Sequence, residues 1–213
     1  MLGFSSDSIK RALILVPLLL LAVTFHECAH GWMANRKGDP TAKNLGRLSL
    51  NPLVHLDLLG TLVMLVTGFI GWAKPVPVNP RNMRDPARDM ISVALAGPIA
   101  NLILAIIFLG ILKAVIFIGD NWAGYRAVPY FVLVAQVCLT AVLLNLGLAF
   151  FNLLPVPPLD GFRVVSYFMA PAAVEFCQRF YIFFLVGLLL LIRFGVLDAV
   201  FYTIKKTVFY LFL

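Results

Sequence analysis

Five consecutive residues, His26-Glu27-Cys28-Ala29-His30, carry the clearest chemical signal in this sequence. A spacing of four puts both imidazoles on one face of a helix, one turn apart. Two neutral imidazoles so placed can bind one Zn²⁺, and the carboxylate between them can serve as general base toward a water that the metal activates. Two of the three histidines of the chain fall in this motif, inside an apolar run. Ionisable groups at membrane depth are costly and point to function.

A catalytic zinc needs a third protein ligand and one open position. Asp160 is the strongest candidate. It follows Asn152-Leu153-Leu154-Pro155-Val156-Pro157-Pro158-Leu159 and precedes Gly161. The three prolines end a helix and force an extended turn, which can carry a carboxylate back to the mouth of a helix bundle. Two neutral imidazoles and one carboxylate leave a net +1 on Zn²⁺, enough to depress the pKa of a coordinated water. His55 is the rival ligand, although its polar, basic surroundings suit an ordinary hydrogen-bonded histidine. Asn101, Asn145 and Asn152 are amides within apolar stretches. Such amides commonly bond across helices. Asn152 has the further option of stabilising an oxyanion through its NH₂.

These groups must be positioned by elements suited to a bilayer. Of 213 residues, 62% are hydrophobic and 13% charged, with mean hydropathy +0.96. A soluble domain is about half apolar and a quarter charged. That excludes a soluble globular domain, a disordered chain and a disulfide-stapled secreted module. Segments 12–34, 90–119, 127–154 and 180–197 are each long and apolar enough for a crossing. The first is expected to stay as a membrane helix and not to be removed as a signal peptide. Segment 58–72 is short and carries Gly60, Gly68 and Gly71, so it is expected to re-enter and not to span. Basic flanks on both sides of it agree: 10 of the 17 Lys and Arg residues then fall in three loops on the cytoplasmic face. The net charge of +7 therefore reports orientation, and no nucleic-acid partner is expected. Segments 45–52 and 73–80 alternate with period two and read as short strands, the second limited by its prolines to an edge. The expectation is an all-α polytopic membrane protein with about five membrane helices and a short membrane-embedded β or re-entrant segment. Residues 1–165 would form the core, and 166–213 a final membrane helix and an amphipathic tail.

Taken together, His26-Glu27-x-x-His30, the element from Ala96-Gly97-Pro98 to Asn101, and Asn152 through Asp160-Gly161 resemble the site-2 protease family of intramembrane zinc metalloproteases, in its compact prokaryotic form. The resemblance implies that His26, His30 and Asp160 bind Zn²⁺, that Glu27 is the catalytic acid/base, and that Asn152 assists. It also implies β structure between the first two core helices, and a substrate that is a transmembrane protein or peptide cleaved in regulated intramembrane proteolysis. The expected location is a prokaryotic cell membrane, with the site near the cytoplasmic side. A helical substrate must be unwound before attack, and the two strand-like segments are the expected places to hold it by strand addition. The rival class is a membrane metal carrier or receptor, which has no use for Glu27 as a base.

Overall fold

The computed structural model describes residues 6–57, 59–60, 73–122 and 127–212. The expected re-entrant segment, 58–72, falls almost wholly outside the described residues. Within them the chain is helical. The apolar run after the amino terminus forms α1, Ser6–Arg36, which continues through Pro17. A one-turn helix α2, Thr41–Asn44, follows. Next come α3, Pro86–Trp122, and α4, Val128–Asn152. Four shorter helices complete the chain: α5, Asp160–Ser166; α6, Pro171–Arg179; α7, Tyr181–Arg193; and α8, Asp198–Phe212.

Among the described residues, three helices are long and apolar enough to cross a membrane: Ala12–Arg36, Pro86–Asn121 and Val128–Asn152. The fourth expected span, 180–197, is shorter than its apolar run suggested. Its helix is only 13 residues, and the chain bends by 68° between α6 and α7. Among the described residues, the number of crossing helices by length and composition is three, or four if that bent pair is one span.

The long helices pack around small and polar side chains. α3 lies between α1 and α4, and α5 sits against α3. Ala22, Ala94, Ala105, Ala141, Asn101 and Asn145 are buried, whereas Ile103, Ile106, Phe117 and Leu133 face outward. This inverted pattern suits helices in lipid, where close backbone approach and interhelical hydrogen bonds replace the hydrophobic drive. α3 starts with Pro86 behind Asp85, whose Oδ1 accepts from Arg88 N–H, while Asp89 Oδ2 accepts from Asp85 N–H (3.1 Å). Lys37, just past α1, pairs with Asp89 at 2.9 Å and ties the two helix ends together.

The two expected strands are a correction. Among the described residues there is no strand, only an isolated antiparallel bridge, Leu56 to Ala73. Residues 73–79 are extended, but four of their backbone groups bond to side chains. Arg47 Nη2 donates to the carbonyls of Lys74 (2.7 Å) and Pro75 (3.3 Å). Asp39 Oδ2 accepts from Asn79 N–H (2.6 Å). Pro75 and Pro77 have no N–H to give. The result is a strap pinned across the bundle, not a rung of a sheet.

Asp39 is fully buried and also accepts from Thr41 and Asn82. Burial pushes its carboxyl up, but these hydrogen bonds outweigh it and hold the carboxyl below its usual range. A depressed folded-state pKa gives stability that is complete above the unfolded value, about 4, and is lost as pH falls through the folded one. Asp39→Asn should therefore lower Tm by about 4–8 °C at neutral pH, for a loss of about 2 kcal/mol. The gap to the parent should begin to narrow below about pH 4. Thermal unfolding in detergent across pH 3–8 checks this; a gap that does not narrow in acid contradicts it.

Candidate metal centre

His26 and His30 lie one turn apart near the carboxy-terminal end of α1, both buried. Asp160 opens α5, 134 positions from His26, and is buried beside them. The three ligand atoms form a tight triangle. His26 Nε2 lies 3.1 Å and His30 Nε2 3.2 Å from Asp160 Oδ2, and the two Nε2 atoms are 3.0 Å apart. Among the described residues this is the group of His, Cys, Asp and Glu side chains placed to hold a metal ion.

Two glycines make the approach possible. A Cβ on Gly97 of α3 would lie 2.5 Å from His30 Nε2 and 2.6 Å from His26 Nε2. A Cβ on Gly161 would lie 2.2 Å from the Leu153 carbonyl oxygen and 2.5 Å from that of Leu154. Glycine at the first lets α3 lie against the imidazoles. At the second it lets α5 turn back over the end of α4, which brings Asp160 home.

The chemistry of this donor set fits a cation. His30 Nδ1 bonds the Val93 carbonyl at 2.7 Å, and that oxygen can only accept. His30 Nδ1 therefore carries the proton, and its Nε2 presents a lone pair to the triangle. His26 Nδ1 lies 2.6 Å from Asn101 Oδ1, with the same result for its Nε2. Two lone pairs and a carboxylate oxygen about 3 Å apart repel one another unless a positive charge sits among them. The separations suit three ligands around one small ion at roughly 2.0–2.2 Å.

Glu27 lies in the same cleft, a cavity of about 140 Å³ also lined by Pro75, Val76, Asn152 and Arg163. Its Oε2 accepts from Val76 N–H at 2.8 Å. The strap thus fixes one oxygen of the carboxylate, and Oε1 bonds to no described residue. Asn152 lines the cleft too, but one N–H of its amide is spent on the Leu148 carbonyl (2.9 Å). His55 stays apart: it is buried, and its Nε2 bonds the Ser49 carbonyl (2.8 Å). Sequence reasoning missed Arg47 and Asp39, which pin the strap over Glu27. Read along the chain, both are loop charges, and nothing local marks their carbonyl and amide partners.

The profile of peptidase family M50 matches residues 14–194. The candidate zinc metalloprotease YwhC of Bacillus subtilis is 43% identical over 157 residues, covering 74% of this chain and 69% of that protein. The candidate zinc metalloproteases named Rip2 are 34% identical in Mycolicibacterium smegmatis, over 71% of this chain and 56% of the relative, and 30% identical in Mycobacterium tuberculosis strain H37Rv, over 80% and 64%. No solved structure gives a significant match.

Proposed function

The chain belongs to peptidase family M50, the site-2 protease family, and from that membership and the geometry above we propose that it is a zinc-dependent endopeptidase cleaving peptide bonds within or near transmembrane segments. The single observation that carries this reading is the triangle of His26 Nε2, His30 Nε2 and Asp160 Oδ2 with Glu27 beside it in one cleft. A zinc ion held there would polarise the scissile carbonyl and make a water nucleophilic near neutral pH. Glu27 takes that water's proton on its carboxylate and passes it to the leaving amide nitrogen. Val76 N–H holds Oε2 so that the other oxygen is left for the water. The other N–H of Asn152 bonds to no described residue, and we assign it to the developing oxyanion.

The chain is a multi-pass membrane protein, as its three long apolar helices and its family imply. We place it in a prokaryotic cell membrane with the cleft toward the cytoplasm, because the basic residues Arg36, Lys37, Lys43 and Arg47 follow the motif directly. A count of about five membrane segments, with 58–72 re-entrant, is the arrangement that keeps both flanking basic stretches on one side. The core would be residues 1–165, with 166–213 as a terminal helix and tail. The substrate would be a transmembrane protein or peptide in regulated intramembrane proteolysis.

The test is Glu27→Gln in purified protein with a transmembrane peptide. Zinc content should match the parent, and cleavage should fall by at least about 100-fold, the scale of a lost general base. Cleavage that survives the change would remove Glu27 from the chemistry. Metal flux across proteoliposomes, undiminished in the variant and with no cleavage by either form, would favour the metal carrier.

A further inference from the structure

His26 does not reach the metal site alone. Behind it runs a chain of two amides, fully buried between α1, α3 and α4: Asn101 and Asn145, exposed by 0% and 1%. Asn101 Oδ1 faces His26 Nδ1 at 2.6 Å. Asn101 Nδ2 donates to Asn145 Oδ1 (3.0 Å) and toward the Ala22 carbonyl (3.4 Å). Asn145 Nδ2 donates to the Ala141 carbonyl (2.9 Å).

An amide seen in isolation can be turned end for end. Here it cannot. A backbone carbonyl only accepts, so the Ala141 oxygen fixes Nδ2 of Asn145 against it and turns Oδ1 toward Asn101. Ala22 and Asn145 Oδ1 then both require Nδ2 of Asn101, and Oδ1 is left for His26. That oxygen can only accept, so the proton of the imidazole must sit on Nδ1.

We propose that Asn101 and Asn145 are positioning residues for the metal. They form a directional relay, anchored on the Ala141 carbonyl of α4, that locks His26 in the tautomer whose Nε2 lone pair faces Asp160 and His30. The inference rests on the zinc reading above and extends it to two residues that touch neither metal nor substrate. The division of labour between the histidines follows: His30 is locked by one backbone carbonyl, Val93, within α3, whereas His26 depends on side chains from two other helices. Partners of this kind hold a ligand's ring orientation and raise its basicity, and their loss typically costs about 10- to 100-fold in metal affinity.

The experiment uses the full-length protein in detergent, stripped of metal and titrated with Co²⁺, whose visible absorption reports tetrahedral coordination, and then with Zn²⁺ in competition. The variants are Asn101→Leu, Asn101→Asp and Asn145→Leu. Asn101→Leu should lose about 10- to 100-fold in affinity. Asn101→Asp keeps an acceptor facing Nδ1 and should bind within a few-fold of the parent. Asn145→Leu should lose less than Asn101→Leu, because Asn101 Nδ2 keeps the Ala22 carbonyl. A role in packing alone predicts that all three bind alike once folded. Equal affinity of parent and Asn101→Leu overturns the relay, as does an Asn101→Asp protein that elutes as the parent does yet binds as poorly as Asn101→Leu. If Asn101→Leu does not fold, Asn101→Asp and Asn145→Leu decide the matter: near-parental affinity in the first with a loss in the second supports the relay, and any other result overturns it. A parent that takes up neither ion overturns the zinc reading and the relay with it.

Discussion

Gly97→Ala should empty the metal site while leaving the fold intact. Two opposing effects meet at this position. Alanine is a better helix former than glycine by about 1 kcal/mol, so α3 itself gains. The new methyl, however, would lie 2.5–2.6 Å from the Nε2 atoms of His30 and His26. Backbone on one side meets ring tips on the other, so it is the rings that give way. A ring that turns carries its Nε2 away from Asp160 and strains the Nδ1 bond to Asn101 or Val93. The cost therefore falls on ligation. Zinc or Co²⁺ affinity should drop by at least about 100-fold, beyond the loss of an outer partner. Peptide cleavage should fall with it, and the Tm of the metal-free protein should stay within a few degrees of the parent. Metal content near that of the parent would show that the helices can part without disturbing the triangle.

Gly161→Ala should act differently, through the fold. Its methyl would meet the carbonyl oxygens of Leu153 and Leu154 at 2.2 and 2.5 Å, and no rotamer relieves a clash with backbone. Either the turn over residues 153–159 opens or α5 lifts from the end of α4. Forcing atoms into a filled site costs about 3 kcal/mol or more here, roughly 6–12 °C in Tm. Asp160 is the neighbouring residue, so any lift also removes the carboxylate from the two imidazoles. Thermal unfolding and metal content should fall together, in contrast to the selective loss at Gly97. Unchanged unfolding would mean that the turn is looser than these distances allow.

How far the sequence anticipated this arrangement depends on where each partner lies. The pairing of His26 with His30 and the place of Glu27 between them follow from helical periodicity alone. Asp160 is remote, yet its convergence was legible, because three prolines and Gly161 leave the chain few ways to leave α4. The strap was half legible. Alternation of Pro and Val announced extended backbone over 73–80, but a ladder was the wrong partner. What receives that backbone is Arg47, Asp39 and Glu27, drawn from α1 and from the loops on either side of α2. The polarity of the relay behind His26 was not legible at all, since it depends on carbonyls of Ala22 and Ala141, and every residue has a carbonyl. The apolar run 180–197 was long enough to span, but α7 stops at Arg193, just before Gly195 with its φ of +74°, and composition gave no sign of the bend at Phe180.

The hydrogen-bond accounting of the strap bears on what can lie along it. Of the N–H groups between Lys74 and Asn79, those of Lys74, Val76 and Asn79 are taken by His55, Glu27 and Asp39, and the prolines have none. Only the Val78 N–H bonds to no described residue, and no described residue donates to the carbonyls of Val76, Pro77 and Val78. The edge is therefore almost purely an acceptor. A peptide laid against it would have to bring the donors itself. Unwinding would then do more than expose a scissile carbonyl: it would free the N–H groups by which such an edge tells an opened backbone from a closed helix.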